Sequence, residues 1–297
     1  MRLNSQKPIW HRLVLLPVLI LVGAYSAAQA SAGGATAPGW TLVWSDEFNG
    51  PNGSAVDASK WVSEVGGGGW GNDELEYYTT RLQNAHQQDG NLVIKVLQEK
   101  YTGADGVTRN YTSARLKTLG KFVQAYGRFE ARIKIPRGQG IWPAFWMLGE
   151  DIDKAGWPDA GEIDIMENIG KEPALVHGTI HGPGYSGANG IGAPCGLSGG
   201  QPIADHFHIF TVEWEPNAIR FYVDEHLYAT RTPSDLPKGA KWVYDHPFFL
   251  LLNVAVGGDW PGSPDASSIF PQEMLVDYVR VFRGRASPAS PASQGQP

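Results

Sequence analysis

Three acidic residues lie close together within an apolar run near the middle of the chain. They are Glu162, Asp164 and Glu167, in the sequence GEIDIMEN that spans residues 161–168. Carboxyl groups that share a desolvated site repel one another, and this raises the pKa of at least one of them. Such a group can act as a general acid near neutral pH while a neighbouring carboxylate acts as base or nucleophile. Hydrolysis of a glycosidic bond needs a carboxyl pair of this kind.

The run has the period-two alternation of a β-strand, so Glu162 and Asp164 share a face and Glu167 points away from it. A β-bulge would bring Glu167 to the same face, and bulges occur beside active sites. We therefore predict a bulged strand with three carboxyl groups on one face. The alternative is a solvated acidic strand without chemistry. The sequence leaves open whether Met166 packs in the core or lies at the tip of the bulge.

Two tryptophans precede the acidic run. Trp142 and Trp146, in the sequence IWPAFWML of residues 141–148, are four residues apart and share a strand face. If that face carries the acids, the indoles form the walls of a groove for sugars. The alternative is that both are core aromatics.

The rest of the chain must position this run, and it also alternates with period two. Residues 92–96, 129–135 and 219–223 place apolar and polar side chains on opposite faces. Residues 248–256 are almost entirely apolar, which predicts a strand buried on both sides. Turn-forming residues separate these segments, and long amphipathic helices are not evident. We predict one all-β domain over residues 40–284, an antiparallel sandwich of two sheets.

Composition limits the partners. The chain has 297 residues, a formal net charge of −6 and one cysteine, Cys195. A single cysteine excludes an internal disulfide and a cysteine-type zinc site. Without residues 1–30 the charge is −9, from 21 basic and 30 acidic residues. This balance argues against nucleic acid as a partner and is compatible with a neutral polysaccharide.

The two ends have compositions of their own. Arg2, Lys7 and Arg12 precede the apolar residues 13–22, and the sequence AQA follows at residues 28–30. This pattern predicts a secretory signal peptide over residues 1–30, with an uncleaved anchor as the alternative. Residues 285–297 have the composition of a disordered low-complexity tail. We expect a secreted monomer, extracellular or periplasmic, with no membrane contact after cleavage.

The sequence resembles glycoside hydrolase family 16. The family signature E-[IL]-D-x-x-E is present as Glu162 to Glu167, and similarity continues over nearly the whole mature chain. The further matching segments are residues 44–48, 142–148, 252–258 and 276–281. The resemblance implies a β-jelly roll with a concave glycan cleft. It also implies that Glu162 is the nucleophile, Glu167 the acid/base and Asp164 the residue that orients the nucleophile, with retention of configuration and no cofactor for catalysis.

The six-residue form of the signature resembles the laminarinase branch, the endo-β-1,3-glucanases, although agarases and carrageenases also carry it. The sequence GNDELEYY at residues 71–78 and the pattern around Arg115 resemble laminarinases more than agarases. Two enzymatic alternatives remain, a mixed-linkage β-1,3/1,4-glucanase and a transglycosylase. An alternative of another class is a non-catalytic β-glucan recognition protein, but such relatives lack one or both glutamates.

The resemblance also implies which residues bind the glycan. His181 is expected to donate a hydrogen bond beside the acid/base, with a metal pair with His177 as the alternative. The full set of expected glycan-contacting residues is Asn72, Arg115, Trp142, Trp146, His181, Asn253 and Trp260.

A structural Ca²⁺ site is implied in some family members, and the matching positions here are Glu47, the Gly90 carbonyl and Asp277. Asp277 shares its strand parity with Val279 and Val281, and a lone acid in an apolar row needs a partner. Calcium would supply one through oxygen ligands. The alternative is a salt bridge or a turn hydrogen bond.

Overall fold

The computed structural model describes residues 39–284, so the predicted signal peptide and the predicted tail lie outside the described residues. The described part forms seventeen β-strands in two sheets and one α-helix, α1, at Ile152–Ala155. The predicted all-β sandwich is confirmed. No helix within residues 39–284 is long and apolar enough to cross a bilayer. Four short 3₁₀ turns lie in the loops, at Gly187–Asn189, Ser198–Gly200, Ile203–Asp205 and Pro233–Asp235.

The first sheet has ten strands, and we call it the outer sheet. Its strands are β1 (Trp40–Asp46), β3 (Glu76–Tyr78), β4 (Ala85–Gln88), β5 (Asn91–Thr102), β6 (Thr108–Ser113), β8 (Gly127–Lys134), β13 (His208–Glu215), β14 (Ala218–Val223), β15 (His226–Arg231) and β17 (Gln272–Gly284). The order is β15-β14-β13-β8-β17-β5-β6-β3, with β1 paired to β17 and β4 paired to β5. All these pairs are antiparallel except β3 with β6, which is parallel and departs from the predicted antiparallel sandwich.

The second sheet has seven strands, and we call it the cleft sheet. Its strands are β2 (Val62–Glu64), β7 (Arg115–Lys117), β9 (Ile141–Gly149), β10 (Glu162–Glu167), β11 (Leu175–His181), β12 (Ile191–Gly196) and β16 (Phe248–Val256). The order is β12-β11-β10-β9-β16-β7-β2, and every pair is antiparallel. The acidic run is therefore β10, near the middle of this sheet.

The main core lies between the two sheets and follows from the period-two patterns. On β9, for example, Phe145 and Met147 belong to the core cluster that also holds Phe129 and Val212 of the outer sheet. The alternate residues of β9 face the other way. Burying one face of each sheet against the other accounts for the apolar rows in the sequence.

Strand β16 is buried on both faces, as predicted, since all nine of its residues are buried. Leu250 and Leu252 face the main core. Phe249 and Leu251 belong to a second, smaller cluster with Leu148. This second cluster lies on the opposite face of the cleft sheet, so both faces of the sheet are apolar around β16.

Strand β17 contains a bulge that the sequence did not indicate. Its pairing with β8 shifts register between Val276 and Tyr278, at Asp277. An extra residue reverses the parity of the strand, so Val279 and Val281 lie in the core while Asp277 does not. The expectation that Asp277 lies in one row with these valines is wrong, and the argument that it needs a buried cation partner no longer holds.

Candidate active site

The predicted bulge in β10 is confirmed by the pairing with β9. Asp164 pairs with Trp146 and Glu167 pairs with Ala144, so three steps along β10 match two steps along β9. The extra residue brings the two acids to the same face despite their odd spacing. With Glu162 they line one cavity of about 370 Å³. The three carboxyl groups therefore meet in a cleft, as the sequence predicted.

The inward side of the bulge is apolar. Ile163, Ile165 and Met166 all lie in the main core. The bulge thus directs two successive side chains, Ile165 and Met166, inward. This settles the position of Met166, which is fully buried in the core.

Each glutamate accepts a hydrogen bond from one indole. The Nε1–H of Trp157 donates to Glu162 Oε2 at 2.8 Å, and the Nε1–H of Trp142 donates to Glu167 Oε1 at 2.9 Å. Trp157 lies in the segment between α1 and β10 and is half exposed. Two different segments therefore orient the two carboxyl groups.

His181 lies at a different end of the acidic row than we expected. Strand β11 pairs His181 with Glu162, while His177 pairs with Glu167. The Nε2 atom of His181 is 3.1 Å from Asp164 Oδ2 and 3.9 Å from Glu162 Oε1. The expected position beside Glu167 is therefore wrong, because the register of β11 sets the neighbour. The ligand atoms of Glu162, Asp164 and His181 lie within 4.8 Å of one another, close enough to hold a cation.

Burial dominates the electrostatics of the three acids. Desolvation first, and then the charge of Asp164, raise the pKa of Glu162 to about 8. Desolvation raises the pKa of Asp164 to about 7. Desolvation and then the charge of Asp164 also hold the pKa of Glu167 well above its usual range. The group therefore keeps protons at neutral pH that isolated carboxyl groups would lose.

The Glu162–Asp164 pair shares its protons, and the two carboxyl groups have different neighbours. The pKa of Glu162, about 8, lies above that of Asp164, about 7, so Glu162 holds its proton more tightly. Glu162 accepts the indole hydrogen bond from Trp157, which lowers its pKa and offsets part of the effect of burial. Asp164 Oδ2 has no well-aligned hydrogen bond from residues 39–284, although His181 Nε2 lies 3.1 Å from it. The expected roles of nucleophile for Glu162 and acid for Glu167 are compatible with these neighbours and stay predictions.

Most of the residues expected to bind a glycan lie around the same cavity. Trp260 is not among its lining residues but packs edge-on against Trp142, with ring centroids 5.5 Å apart. Trp142 and Trp146 thus face the cleft rather than the core. The expected residues that line the cavity are Asn72, Arg115, Trp142, Trp146 and Asn253.

Arg115 is held between two indoles. Its guanidinium carbon lies 4.6 Å from the ring centroid of Trp70 and 4.8 Å from that of Trp146. Its Nε–H donates to Glu64 Oε2 at 2.6 Å. Cation–π contacts and an ion pair together fix the guanidinium, so it supports the plane of Trp146 as well as lining the cleft.

Several residues that line the cleft were not predicted from the sequence, and three of them have aromatic or acidic side chains. They are Trp70, Glu74 and Trp157. Trp157 stands directly before a proline, and Trp70 follows four glycines at residues 66–69. An aromatic residue within a turn-forming segment was the available signal for both. Glu74 lies within the segment 71–78 that carried the resemblance, but nothing in its spacing distinguished it.

The expected calcium ligands form ion pairs in this structure. Arg280 binds both carboxylate oxygens of Glu47, at 3.0 and 2.8 Å. Arg132 Nη1 lies 2.7 Å from Asp277 Oδ2. Gly90 occupies a turn with a φ of +74°. With both carboxylates neutralised by arginines, this donor set does not fit Ca²⁺ unless the arginines are displaced, and calcium binding stays a prediction.

Comparison with known proteins agrees with this geometry. The family model described as glycosyl hydrolases family 16 matches residues 73–280. A beta-glucanase of Rhodothermus marinus is 46% identical over 257 residues, which cover 83% of this chain and 86% of that protein. The laminarinase catalytic domain from Thermotoga maritima MSB8 aligns with a TM-score of 0.78 at 49% identity, over 82% of this chain and 98% of that one. The endo-beta-1,3-glucanase from Pyrococcus furiosus aligns with a TM-score of 0.79 at 48% identity, over 82% and 95%.

Proposed function

The chain belongs to glycosyl hydrolases family 16, and from this premise we propose that it is an endo-acting β-1,3-glucanase that cleaves laminarin-type glucan with retention of configuration. The observation that carries the proposal is the row of Glu162, Asp164 and Glu167 on one face of the bulged strand. The relatives named above, a beta-glucanase, a laminarinase and an endo-beta-1,3-glucanase, support the substrate class. The reaction needs no cofactor, because the carboxyl groups supply both nucleophile and proton.

In the first step, a carboxylate oxygen of Glu162 attacks the anomeric carbon and the bond to the leaving sugar oxygen breaks. Glu167 gives its proton to that oxygen, so the departing chain leaves as a neutral alcohol. Burial favours this role because it raises the pKa of Glu167 and so favours its protonated form. The Glu162–Asp164 pair reacts in its singly ionised form, with the charge on the attacking Glu162 and the remaining proton on Asp164, so two adjacent charges are avoided.

In the second step, Glu167 is a carboxylate and takes a proton from water. The water oxygen attacks the anomeric carbon, and the ester bond to Glu162 breaks. Two inversions give net retention. A sugar hydroxyl in place of water would give transglycosylation on the same scaffold.

The direct test is the release of reducing ends from laminarin by the purified protein, with mixed-linkage β-glucan and agarose as comparison substrates. We expect the fastest release from laminarin, and a Glu162→Gln variant that binds laminarin but does not cleave it. The anomer released first, observed by NMR, should have the β configuration. Undiminished activity of Glu162→Gln would contradict the assigned nucleophile.

A mixed-linkage β-1,3/1,4-glucanase is the second candidate function. The structure of SCLam, a non-specific endo-beta-1,3(4)-glucanase from family GH16, aligns with a TM-score of 0.75 at 37% identity, over 84% of this chain and 94% of that one, which favours keeping this alternative. Faster release from mixed-linkage glucan than from laminarin would support it. Binding of laminarin with no cleavage of any substrate would instead support a recognition protein.

We also propose that the protein is secreted as a monomer, extracellular or periplasmic. The basic start, the apolar residues 13–22 and the AQA sequence at residues 28–30 support this. Sequencing the N-terminus of the exported protein should give a chain that begins at Ser31. A retained N-terminus in the membrane fraction would contradict cleavage.

A further inference from the structure

A second pair of acids lies at the wall of the cleft, where Glu74 lines the cavity and Glu76 does not. Glu74 and Glu76 are 3% and 0% exposed, and their carboxyl groups lie within hydrogen-bonding reach of each other. They belong to the segment that leads into β3, and they take no part in the chemistry described above. Two buried carboxylates in contact cannot both keep a full charge without a large cost, so the pair holds a proton.

The hydrogen bonds around the pair show which carboxyl group carries that proton. Glu74 accepts from Asn72 Nδ2 at 3.1 Å and from the Tyr78 hydroxyl at 3.0 Å. Glu76 Oε2 accepts from the Val256 N–H at 2.6 Å, but its Oε1 has no partner within the described part of the chain. A proton on Oε1 would donate to Glu74 and complete the set. Burial, and then the charge of Glu74, hold the pKa of Glu76 well above its usual range.

A chain of hydrogen bonds connects this pair to the glycan-binding wall. The Tyr78 hydroxyl, which donates to Glu74, accepts from Asn253 Nδ2 at 3.1 Å. Asn253 Oδ1 in turn accepts from Trp146 Nε1 at 2.7 Å. Tyr78 is fully buried and Asn253 is 5% exposed, so water does not readily substitute for either. Because an indole N–H can only donate, Asn253 turns its Oδ1 to Trp146 and its Nδ2 to Tyr78, and the Tyr78 hydroxyl proton is left for the acceptor at Glu74.

Glu76 and neighbouring backbone groups attach this segment to β16. Besides the bond to Glu76, Val256 accepts from the Leu75 N–H at 2.7 Å. Three residues along, the Asp259 N–H donates to the Asn72 carbonyl at 2.9 Å. The segment that carries Trp70 and Asn72 into the cleft is therefore fixed to the strand that carries Asn253.

We propose that Glu76 is a positioning residue: its neutral carboxyl group donates to Glu74 and thereby fixes the glycan-stacking face of Trp146. It acts on substrate binding and not on bond cleavage. The kinetic part of this inference rests on the proposed glucanase function, whereas the protonation state of Glu76 does not.

The test uses two substitutions of the full protein that differ in hydrogen bonding. In Glu76→Gln the amide can donate to Glu74 and accept from Val256, so we expect KM for laminarin within about twofold of the wild type. In Glu76→Leu both bonds are lost, and we expect KM to rise about tenfold with kcat within about threefold, a change of roughly 1.4 kcal/mol in binding. A Glu76→Gln variant as impaired as Glu76→Leu, or an unchanged KM in both, would overturn the proposal.

Two further measurements test the positioning role of Glu76 if Glu76→Leu does not fold. Tyr78→Phe removes only the hydroxyl that links the pair to Asn253, and we expect it also to raise KM with little change in kcat. The infrared difference spectrum of wild type minus Glu76→Gln at neutral pH should contain one protonated-carboxyl band, that of Glu76, because the bands of the β10 acids are common to both proteins and cancel. Absence of that band, or a Tyr78→Phe variant with wild-type KM, would overturn the proposal. If the wild type cleaves no glucan, the proposed function fails while the infrared result still stands.

Discussion

At the scale of single residues, the three carboxyl groups of β10 are chemically alike but have different neighbours. Glu162 and Glu167 each accept an indole hydrogen bond. Asp164 Oδ2 accepts no well-aligned hydrogen bond from the described residues, and His181 Nε2 lies 3.1 Å from it. One strand can therefore carry three carboxyl groups suited to different roles, because their hydrogen-bond partners differ although all three are desolvated.

The role of Glu167 can be separated from that of Glu162 by the choice of leaving group. Glu167→Gln should lose about 10²–10⁴-fold in kcat on laminarin, because the departing sugar oxygen is no longer protonated. An aryl β-glucoside with an acidic phenol leaves without protonation, so its glycosylation step should be nearly unaffected in that variant. Glu162→Gln should be inactive on both substrates. Equal losses of Glu167→Gln on both in a single-turnover assay would contradict the assignment.

The protons shared by Glu162 and Asp164 predict a pH dependence. The pair loses one proton at about pH 7, which creates the nucleophilic carboxylate, so kcat/KM on laminarin should rise there; it loses the second at about pH 8, which places two charges side by side, so kcat/KM should fall. Asp164→Asn has no proton to lose, and its alkaline limb should move to higher pH, where only Glu167 limits activity.

The measurement is kcat/KM from about pH 5 to about pH 9 for wild type and Asp164→Asn. Glu215→Gln, a substitution of an exposed acid on the outer sheet, is the control and should leave the profile unchanged. Identical alkaline limbs in wild type and Asp164→Asn would show that Asp164 does not hold the titrating proton.

The acidic residues whose chemistry is local could be predicted from the sequence. Glu76 and Tyr78 could not, because their roles depend on partners far away along the chain. The acids of β10 stand within six positions of one another, so their spacing alone indicates a shared site. Glu76 bonds to Val256, which is 180 positions away, and Tyr78 bonds to Asn253, which is 175 positions away. No periodicity in one strand carries that information, because it arises only when the sheets assemble.

At the scale of strands, the two bulges differ in how far they could be predicted. The bulge in β10 follows from the need to bring Glu167 to the face of Asp164. The bulge at Asp277 in β17 has no such chemical requirement, and a regular strand was the natural expectation. Its effect was to reverse the parity of the following residues and so to misplace one expected calcium ligand.

The connection after β10 gives a test at this scale. The backbone of Gly170 approaches that of Gly138 so closely that an added Cβ would collide with the Gly138 carbonyl. The Gly138 carbonyl belongs to the backbone and cannot rotate away as a side chain could. Gly170→Ala should therefore destabilise the fold by about 2 kcal/mol or more. That corresponds to a fall in Tm of roughly 4–8 °C for a domain of this size.

The control is Gly68→Ala, at a position where an added Cβ meets nothing within 4 Å. Thermal denaturation followed by circular dichroism should show an unchanged Tm for Gly68→Ala. A Gly170→Ala variant as stable as that control would mean that the connection can relax.

At the scale of the whole molecule, the two sheets divide the work. The outer sheet supplies one half of the main core, and the cleft sheet supplies the other half together with the catalytic face. A second apolar cluster around Phe249 and Leu251 supports the cleft sheet from the catalytic side. The alternation of the sequence predicted this sandwich. It did not predict the parallel pairing of β3 with β6, because parity is the same for either strand direction.

The effect of calcium on thermal stability tests whether Glu47 and Asp277 bind a cation or remain paired with arginines. The ion pairs Glu47–Arg280 and Asp277–Arg132 neutralise the carboxylates without a metal, so Tm should be the same in EDTA and in millimolar Ca²⁺. If calcium displaces the arginines instead, stability should rise by about 2.7 kcal/mol at a calcium concentration of 100 Kd. Differential scanning calorimetry distinguishes the two outcomes, with Mg²⁺ as the control ion.

The bulge in β10 also has a consequence for how such a site tolerates changes in length. Asp164 and Glu167 pair with residues of β9 that are only two apart, so the extra residue of β10 has no partner of its own on β9. A deletion within Ile165–Met166 would give a regular strand and leave both carboxyl groups opposite the same partners. What it removes is one core side chain, a cost in stability and not in catalytic geometry. A single residue can therefore be gained or lost at this point of the strand while both carboxyl groups keep their positions in the cleft.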